Sequence, residues 1–307
     1  MSSAFDLTGI FPPIPTPFES DGRLALGRLR ENLQRWDSQP LRGYVVGGSN
    51  GEFPLLTLEE RVMMVRAARQ AASRHRLILA GSGMESTQAT IELTRRMAEA
   101  GAAAVLVVTP GYYRGRMTAS ALVQHYSQVA EASAVPVVLY NVPANTGVDL
   151  PVEAAVELSQ HANIAGMKES GGDVTKIGRI LSGCAPGFQV LAGSGGFFLG
   201  ALSVGASGCI AALANIAAAP LAALVERFHS GDRDGARQLQ QSLIEANAAV
   251  TSLYGVPGLK SALDLLGFYG GPVRSPLQPL PEGDRARLAE ILRRAGILSR
   301  PPSSELA

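Results

Sequence analysis

The chain has 307 residues, 46% hydrophobic and 17% charged, with a formal net charge of +1. That is enough apolar material for one large domain or two ordinary ones, and a nearly balanced charge gives no basic field for nucleic acid. The only cysteines, Cys184 and Cys209, and the four scattered histidines (His75, His125, His161, His229) form neither a disulfide framework nor metal-ligand spacing, so no metal or other cofactor is expected.

The opening Met1-Ser-Ser-Ala-Phe-Asp-Leu-Thr-Gly9 has neither a signal-peptide apolar core nor an arginine-rich transit helix. Glycine, serine and asparagine interrupt every apolar run short of a membrane span, so no membrane partner is expected. As written the chain reads as cytoplasmic, or as mitochondrial matrix if it is a mature form trimmed of a transit peptide. Short apolar runs then alternate with helical patterns. The runs are Ile10–Pro15, Gly43–Val46, Leu77–Gly81, Ala104–Val108, Val135–Tyr140, Ile164–Lys168, Gln189–Gly193 and Gly208–Ala211. Between the second and third, Thr57 is a helix N-cap with Glu60 at capping-box spacing. Ser86 opens another helix, closed at Gly101. Apolar runs bounded by turns and separated by helices mean βαβ units and a parallel sheet. Eight of them predict a (β/α)8 barrel over residues 1–225, followed by a small helical domain over 226–307. The rival, an open doubly wound sheet, lacks its Gly-x-Gly-x-x-Gly fingerprint after the first strand. In the second part, Ala222–Leu266 reads as helix broken at Gly231 and at Gly255-Val-Pro-Gly258; a further helix covers about Glu282–Ala295, and the tail from Arg300 reads as disordered.

In barrel enzymes the site lies at the carboxyl ends of the strands. Those ends carry Gly47-Gly-Ser-Asn-Gly-Glu52, Thr109-Pro-Gly-Tyr-Tyr113, Tyr140-Asn-Val-Pro-Ala-Asn145-Thr-Gly, Lys168-Glu-Ser170-Gly-Gly and Gly193-Ser-Gly-Gly196. Of 27 basic residues only three are lysines, Lys168, Lys176 and Lys260. Lys168 closes an apolar run, where an ammonium is costly unless neutral, paired or reactive. A desolvated lysine is how a protein makes an amine that attacks a ketone; a lysine snorkelling to the strand rim is the plain alternative. Lys176 sits in a helical pattern and reads as solvated, and Lys260 reads as a surface or packing residue. Ser49 and Asn50 offer a hydroxyl and backbone N–H groups to a carboxylate, or simply belong to a tight turn. Tyr140 is a proton shuttle or a strand cap whose hydroxyl meets the backbone. Gly193–Gly196 reads as a structural turn or substrate contact rather than a phosphate grip, since no basic residue lies near it in sequence.

These motifs resemble the dihydrodipicolinate synthase and N-acetylneuraminate lyase family of class I pyruvate aldolases, over nearly the whole chain. Further stretches, Ala80-Gly-Ser-Gly-Met-Glu-Ser-Thr-Gln-Ala-Thr90, Tyr112-Tyr-Arg-Gly-Arg-Met117 and Phe268-Tyr-Gly-Gly-Pro272, look most like the branch that cleaves 4-hydroxy-2-oxoglutarate, as in hydroxyproline degradation. The resemblance implies Lys168, Tyr140 and Tyr112 as catalytic residues, and Ser49, Asn50, Asn145, Ser170 and Gly193 as substrate-binding ones. It further implies Tyr112 reaching the neighbouring subunit's site, a homotetramer built as a dimer of dimers, and a small 2-oxo acid as substrate. Asn145 stands where the synthase branch has an arginine for its second substrate's carboxylate, which argues against that activity. Cleavage of sialic or sugar acids and a non-catalytic 2-oxo acid sensor are the other readings.

Overall fold

The computed structural model describes residues 5–299. Eight parallel strands form a barrel: β1 (Gly9–Phe11), β2 (Gly43–Val46), β3 (Leu77–Gly81), β4 (Ala104–Val108), β5 (Val137–Asn141), β6 (Ile164–Glu169), β7 (Gln189–Ala192) and β8 (Gly208–Ile210). Neighbours in sequence pair in space, β1 pairs with β8, and a bridge from Pro13 to Val45 closes the ring. The first strand is shorter than its apolar run, because Pro12 and Pro13 have no N–H to donate. Its continuation still accepts from Val45 N at Pro12 O and donates from Ile14 N to Val45 O.

The helices are α1 (Leu26–Trp36), α2 (Leu58–Ala71), α3 (Thr87–Glu99), α4 (Ala119–Ala132), α5 (Pro143–Thr146), α6 (Val152–Leu158), α7 (Val174–Gly183), α8 (Phe198–Ser203), α9 (Ala218–Ser230), α10 (Arg233–Ala248), α11 (Gly255–Leu265) and α12 (Glu282–Arg294). Local chemistry sets their starts. Thr57 and Glu60 form a reciprocal capping box on α2, and Ser86, Thr118 and Asp173 cap α3, α4 and α7. Gly231, left-handed at φ 83°, ends α9, so the expected break lies there. The second expected break is instead the first turn of α11, and the irregularity precedes it as a π turn over Ala249–Leu253. Gly258 is needed there because a Cβ would lie 2.7 Å from Ala249 O. The expected domain division at 225/226 falls within α9, and the next helix, α10, begins at Arg233. The tail from Arg300 lies outside the described residues.

Strands of a closed parallel barrel are covered on both faces, hence their continuous Val/Leu/Ile runs. Phe11, Val45, Leu79, Leu106, Val138, Tyr140, Leu191 and Ile210 fill the interior. Alternate residues such as Val46, Val107, Leu139 and Met167 pack outward against the helices. Cys209 is in the core, where burial pushes its thiol up. Among the described residues no helix is long and apolar enough to cross a membrane.

One buried histidine links this packing to pH. His125 on α4 is 6% exposed, its Nδ1 lies 2.9 Å from Thr87 Oγ1, and its Nε2 has no partner among the described residues. Burial pulls its pKa down to about 4 from the ordinary 6.5, with Glu85 opposing in part. Below pH 6.5 the unfolded chain therefore takes up a proton that the folded chain refuses. Stability falls as pH drops from about 6.5 towards 4, by on the order of 3 kcal/mol from this group alone. Urea unfolding across that window should show a shallower pH slope in His125→Gln than in the parent.

Candidate active site

The period of two along β6 decides which groups face the barrel axis. Met167 points into the helix layer, so Lys168 points inward, where it is 4% exposed. Tyr140, opposite Lys168 in the β5–β6 register, also faces inward. The Lys168 Nζ lies 4.0 Å from the centroid of the Tyr140 ring. Tyr140 Oη in turn lies 3.1 Å from Ser49 Oγ, on the turn after β2. An amine, a phenol and a hydroxyl from three strand ends thus form one chain of contacts. Asn50 follows in the same turn, half-buried.

Glu169 takes the opposite face of β6 and is wholly buried. Its carboxylate accepts from Asn141 Nδ2 (2.9 and 3.1 Å) and Gly171 N (2.5 Å) and lies 3.4 Å from Lys176 Nζ. Lys176 is therefore not solvated as its helical pattern suggested. It is 8% exposed and also pairs with Asp149, because α7 presents it to the carboxylate at the end of β6 and to one 27 residues earlier in the chain. Lys260 is not on the surface either: it is 1% exposed and paired with Glu52.

Ser170 begins the turn after β6, its N–H donating to Asn141 O at 2.9 Å. Its buried Oγ has no partner among the described residues. Gly193 makes the room: a Cβ there would lie 1.9 Å from Ser170 Oγ and 2.7 Å from Glu169 O. Gly193→Ala should therefore displace Ser170, cost about 1–3 kcal/mol in thermal unfolding and lower activity. The rest of the Gly193–Gly196 turn is held from α10, with Asn247 bonded to Ser194 and Gln240 Nε2 donating to Gly195 O at 2.9 Å.

Above Ser49 opens a cleft of about 720 Å3, lined by Tyr112, Asn145, Thr146, Val142, Thr109, Glu85 and Arg61 among others. It reaches Ser49, while Lys168 lies outside its walls. Tyr112 is 79% exposed, and its N–H donates to Glu85 Oε2 at 2.9 Å. Asn145, on the single-turn α5, is exposed as well. Arg61 was not singled out by sequence. It is 3% exposed, donates to Gly81 O (2.9 Å) and Gly83 O (3.3 Å), and has no carboxylate partner among the described residues. Burial lowers its pKa to about 10. The sequence signal was present but faint: an arginine on the first turn of α2, the side of that helix nearest the strand ends. Among the described residues no cluster of three or more His, Cys, Asp or Glu side chains is placed to hold a metal ion.

Fold and site define a (β/α)8-barrel enzyme whose convergent polar groups all stand at the carboxyl ends of its strands. The chain belongs to the dihydrodipicolinate synthetase family, whose model matches residues 6–295. Relatives of the chain carry the names lyase and synthase. An uncharacterized DapA-like lyase of Halobacterium salinarum is 36% identical over 292 residues, covering 95% of each chain. A 4-hydroxy-tetrahydrodipicolinate synthase of Methanothrix thermoacetophila is 35% identical over 285 residues, 92% of this chain and 95% of that one. Among solved structures, dihydrodipicolinate synthase from Bacillus anthracis superposes with TM-score 0.91 at 31% identity, covering 97% of this chain and 99% of that chain. The chloride-inhibited synthase from Acinetobacter baumannii, complexed with pyruvate, gives TM-score 0.90 at 31% identity over 95% of this chain and 100% of that one.

Proposed function

We propose that the protein is a Schiff-base aldolase that cleaves 4-hydroxy-2-oxoglutarate to pyruvate and glyoxylate. The observation that carries this reading is the contact chain Lys168–Tyr140–Ser49 at the strand ends. The Lys168 amine adds to the C2 ketone, and loss of water leaves a protonated imine. The imine is an electron sink, so the C3–C4 bond breaks as Tyr140 takes the C4-hydroxyl proton and glyoxylate departs. The enamine is protonated at C3, and hydrolysis releases pyruvate and the free amine. Ser49 and Asn50 hold the C1 carboxylate, and the unpartnered Ser170 Oγ meets the substrate's hydroxyl or distal carboxylate. Asn145 in place of a guanidinium removes a bidentate carboxylate clamp, which favours cleavage over the synthase reaction. Tyr112 completes the proton relay of a neighbouring subunit within a dimer of dimers; its 79% exposure in the single chain supports that placement.

The test is borohydride reduction with pyruvate, followed by peptide mass spectrometry. A pyruvyl adduct on Lys168 is expected, and a folded protein that forms none overturns the reading. The names of several relatives support a second reading, formation of 4-hydroxy-tetrahydrodipicolinate. Turnover of 4-hydroxy-2-oxoglutarate without that synthesis decides for the aldolase, and the reverse pattern decides for the synthase.

A further inference from the structure

Glu52 is the only non-glycine residue with positive φ among those described, at 56°. It ends the turn that carries Ser49 and Asn50, and its side chain is completely buried. Backbone held in the left-handed region persists only where its surroundings over-determine it. Here they come from the far end of the chain. Glu52 Oε1 lies 2.6 Å from Lys260 Nζ on α11, and Oε2 accepts from Arg274 N at 2.8 Å. Oε1 accepts no hydrogen bond from any other described residue. Lys260 Nζ also donates to Pro272 O at 2.7 Å and lies 4.5 Å from the Phe18 ring centroid.

The same segment clamps the surrounding loops. The Arg274 guanidinium reaches both Glu60 oxygens at 2.7 Å and donates to Gly22 O at 2.6 Å and Leu55 O at 2.9 Å. On the other side of the turn, Thr16 Oγ1 donates to Gly51 O at 2.6 Å. A buried ion pair is a poor source of stability, since well-packed apolar residues commonly serve as well or better. What it provides is a fixed geometry, and the backbone it fixes leads within three residues to the Ser49 hydroxyl on Tyr140.

We propose that Lys260 and Glu52 are positioning residues: their buried pair lets the C-terminal helical part set the Ser49–Asn50 turn for binding the 2-oxo acid. This rests on the aldolase reading for its substrate, although the anchoring itself does not. The test compares Glu52→Gly, Glu52→Gln and Lys260→Met. Glycine accepts the left-handed backbone without strain but removes the anchor; glutamine keeps the side chain's length but has a single amide oxygen, which can face Lys260 Nζ or Arg274 N and not both. In Glu52→Gly, KM for the 2-oxo acid should rise roughly 10- to 10²-fold, with a smaller change in kcat. Hydrogen exchange of the peptide spanning residues 47–52 should quicken in the same variant. Glu52→Gln, which keeps one of the two contacts and loses the ion pair, should fall between the parent and Glu52→Gly in both, and Lys260→Met should follow Glu52→Gly wherever it folds. Parental KM and parental exchange in Glu52→Gly overturn the proposal, as does lowered thermal stability with unchanged KM. If the parent itself forms no pyruvate imine, the aldolase reading fails, and the exchange rates alone then uphold or overturn the anchoring.

Discussion

Lys168→Ala is expected to fold as the parent does and to lose turnover by on the order of 10³-fold or more. The side chain is 4% exposed and touches the Tyr140 ring, so truncation removes a desolvated amine and leaves a small cavity inside the barrel. The lost packing of Nζ on the Tyr140 ring is offset in part by relief from burying the polar group. Circular dichroism and melting should therefore stay close to parental, while steady-state cleavage falls to background. Borohydride should trap no pyruvate on the variant. Lys176 and Lys260 are both buried in ion pairs and cannot substitute for the missing amine. Substantial residual turnover in a folded Lys168→Ala would end the imine mechanism outright.

Tyr140→Phe separates proton transfer from carbon chemistry. The ring that packs under the Lys168 amine is kept, and only the hydroxyl bonded to Ser49 Oγ is lost. Turnover should drop roughly 10²–10⁴-fold if this phenol is the general acid–base. Imine trapping with pyruvate should survive, because the amine and the carboxylate site remain. A rise in KM with parental kcat would reassign Tyr140 to substrate binding. Ser49→Ala is a graded companion: it removes the hydroxyl that orients the phenol while leaving the phenol itself in place.

The two expectations differ in how far the sequence alone supports them. The barrel was legible because its signal is local and repeated. Eight β-rich runs separated by capped helices leave few arrangements in which every strand is covered on both faces. Strand ends follow from the same periodicity, which marks Lys168, Tyr140 and the Ser49–Asn50 turn as strand-end residues in the sequence itself. The inward aim of Lys168 and the outward aim of Glu169 also follow from the period of two along a strand.

Charge pairing was not legible. In sequence Lys176 reads as solvated and Lys260 as a surface or packing residue, because a lone basic residue in a helical pattern usually is. Their partners lie elsewhere in the chain: Asp149 and Glu169 for Lys176, and Glu52, more than two hundred residues earlier, for Lys260. The sequence by itself determined the barrel, its strand ends and the chemical types gathered there, since these depend on short-range periodicity and on turn chemistry. Only the tertiary structure decided which charges were buried together, that Gly193 leaves space for Ser170, and that α11 reaches the turn after β2. Those facts rest on contacts between distant segments, and a buried charge is tolerated only where folding brings its counter-charge alongside.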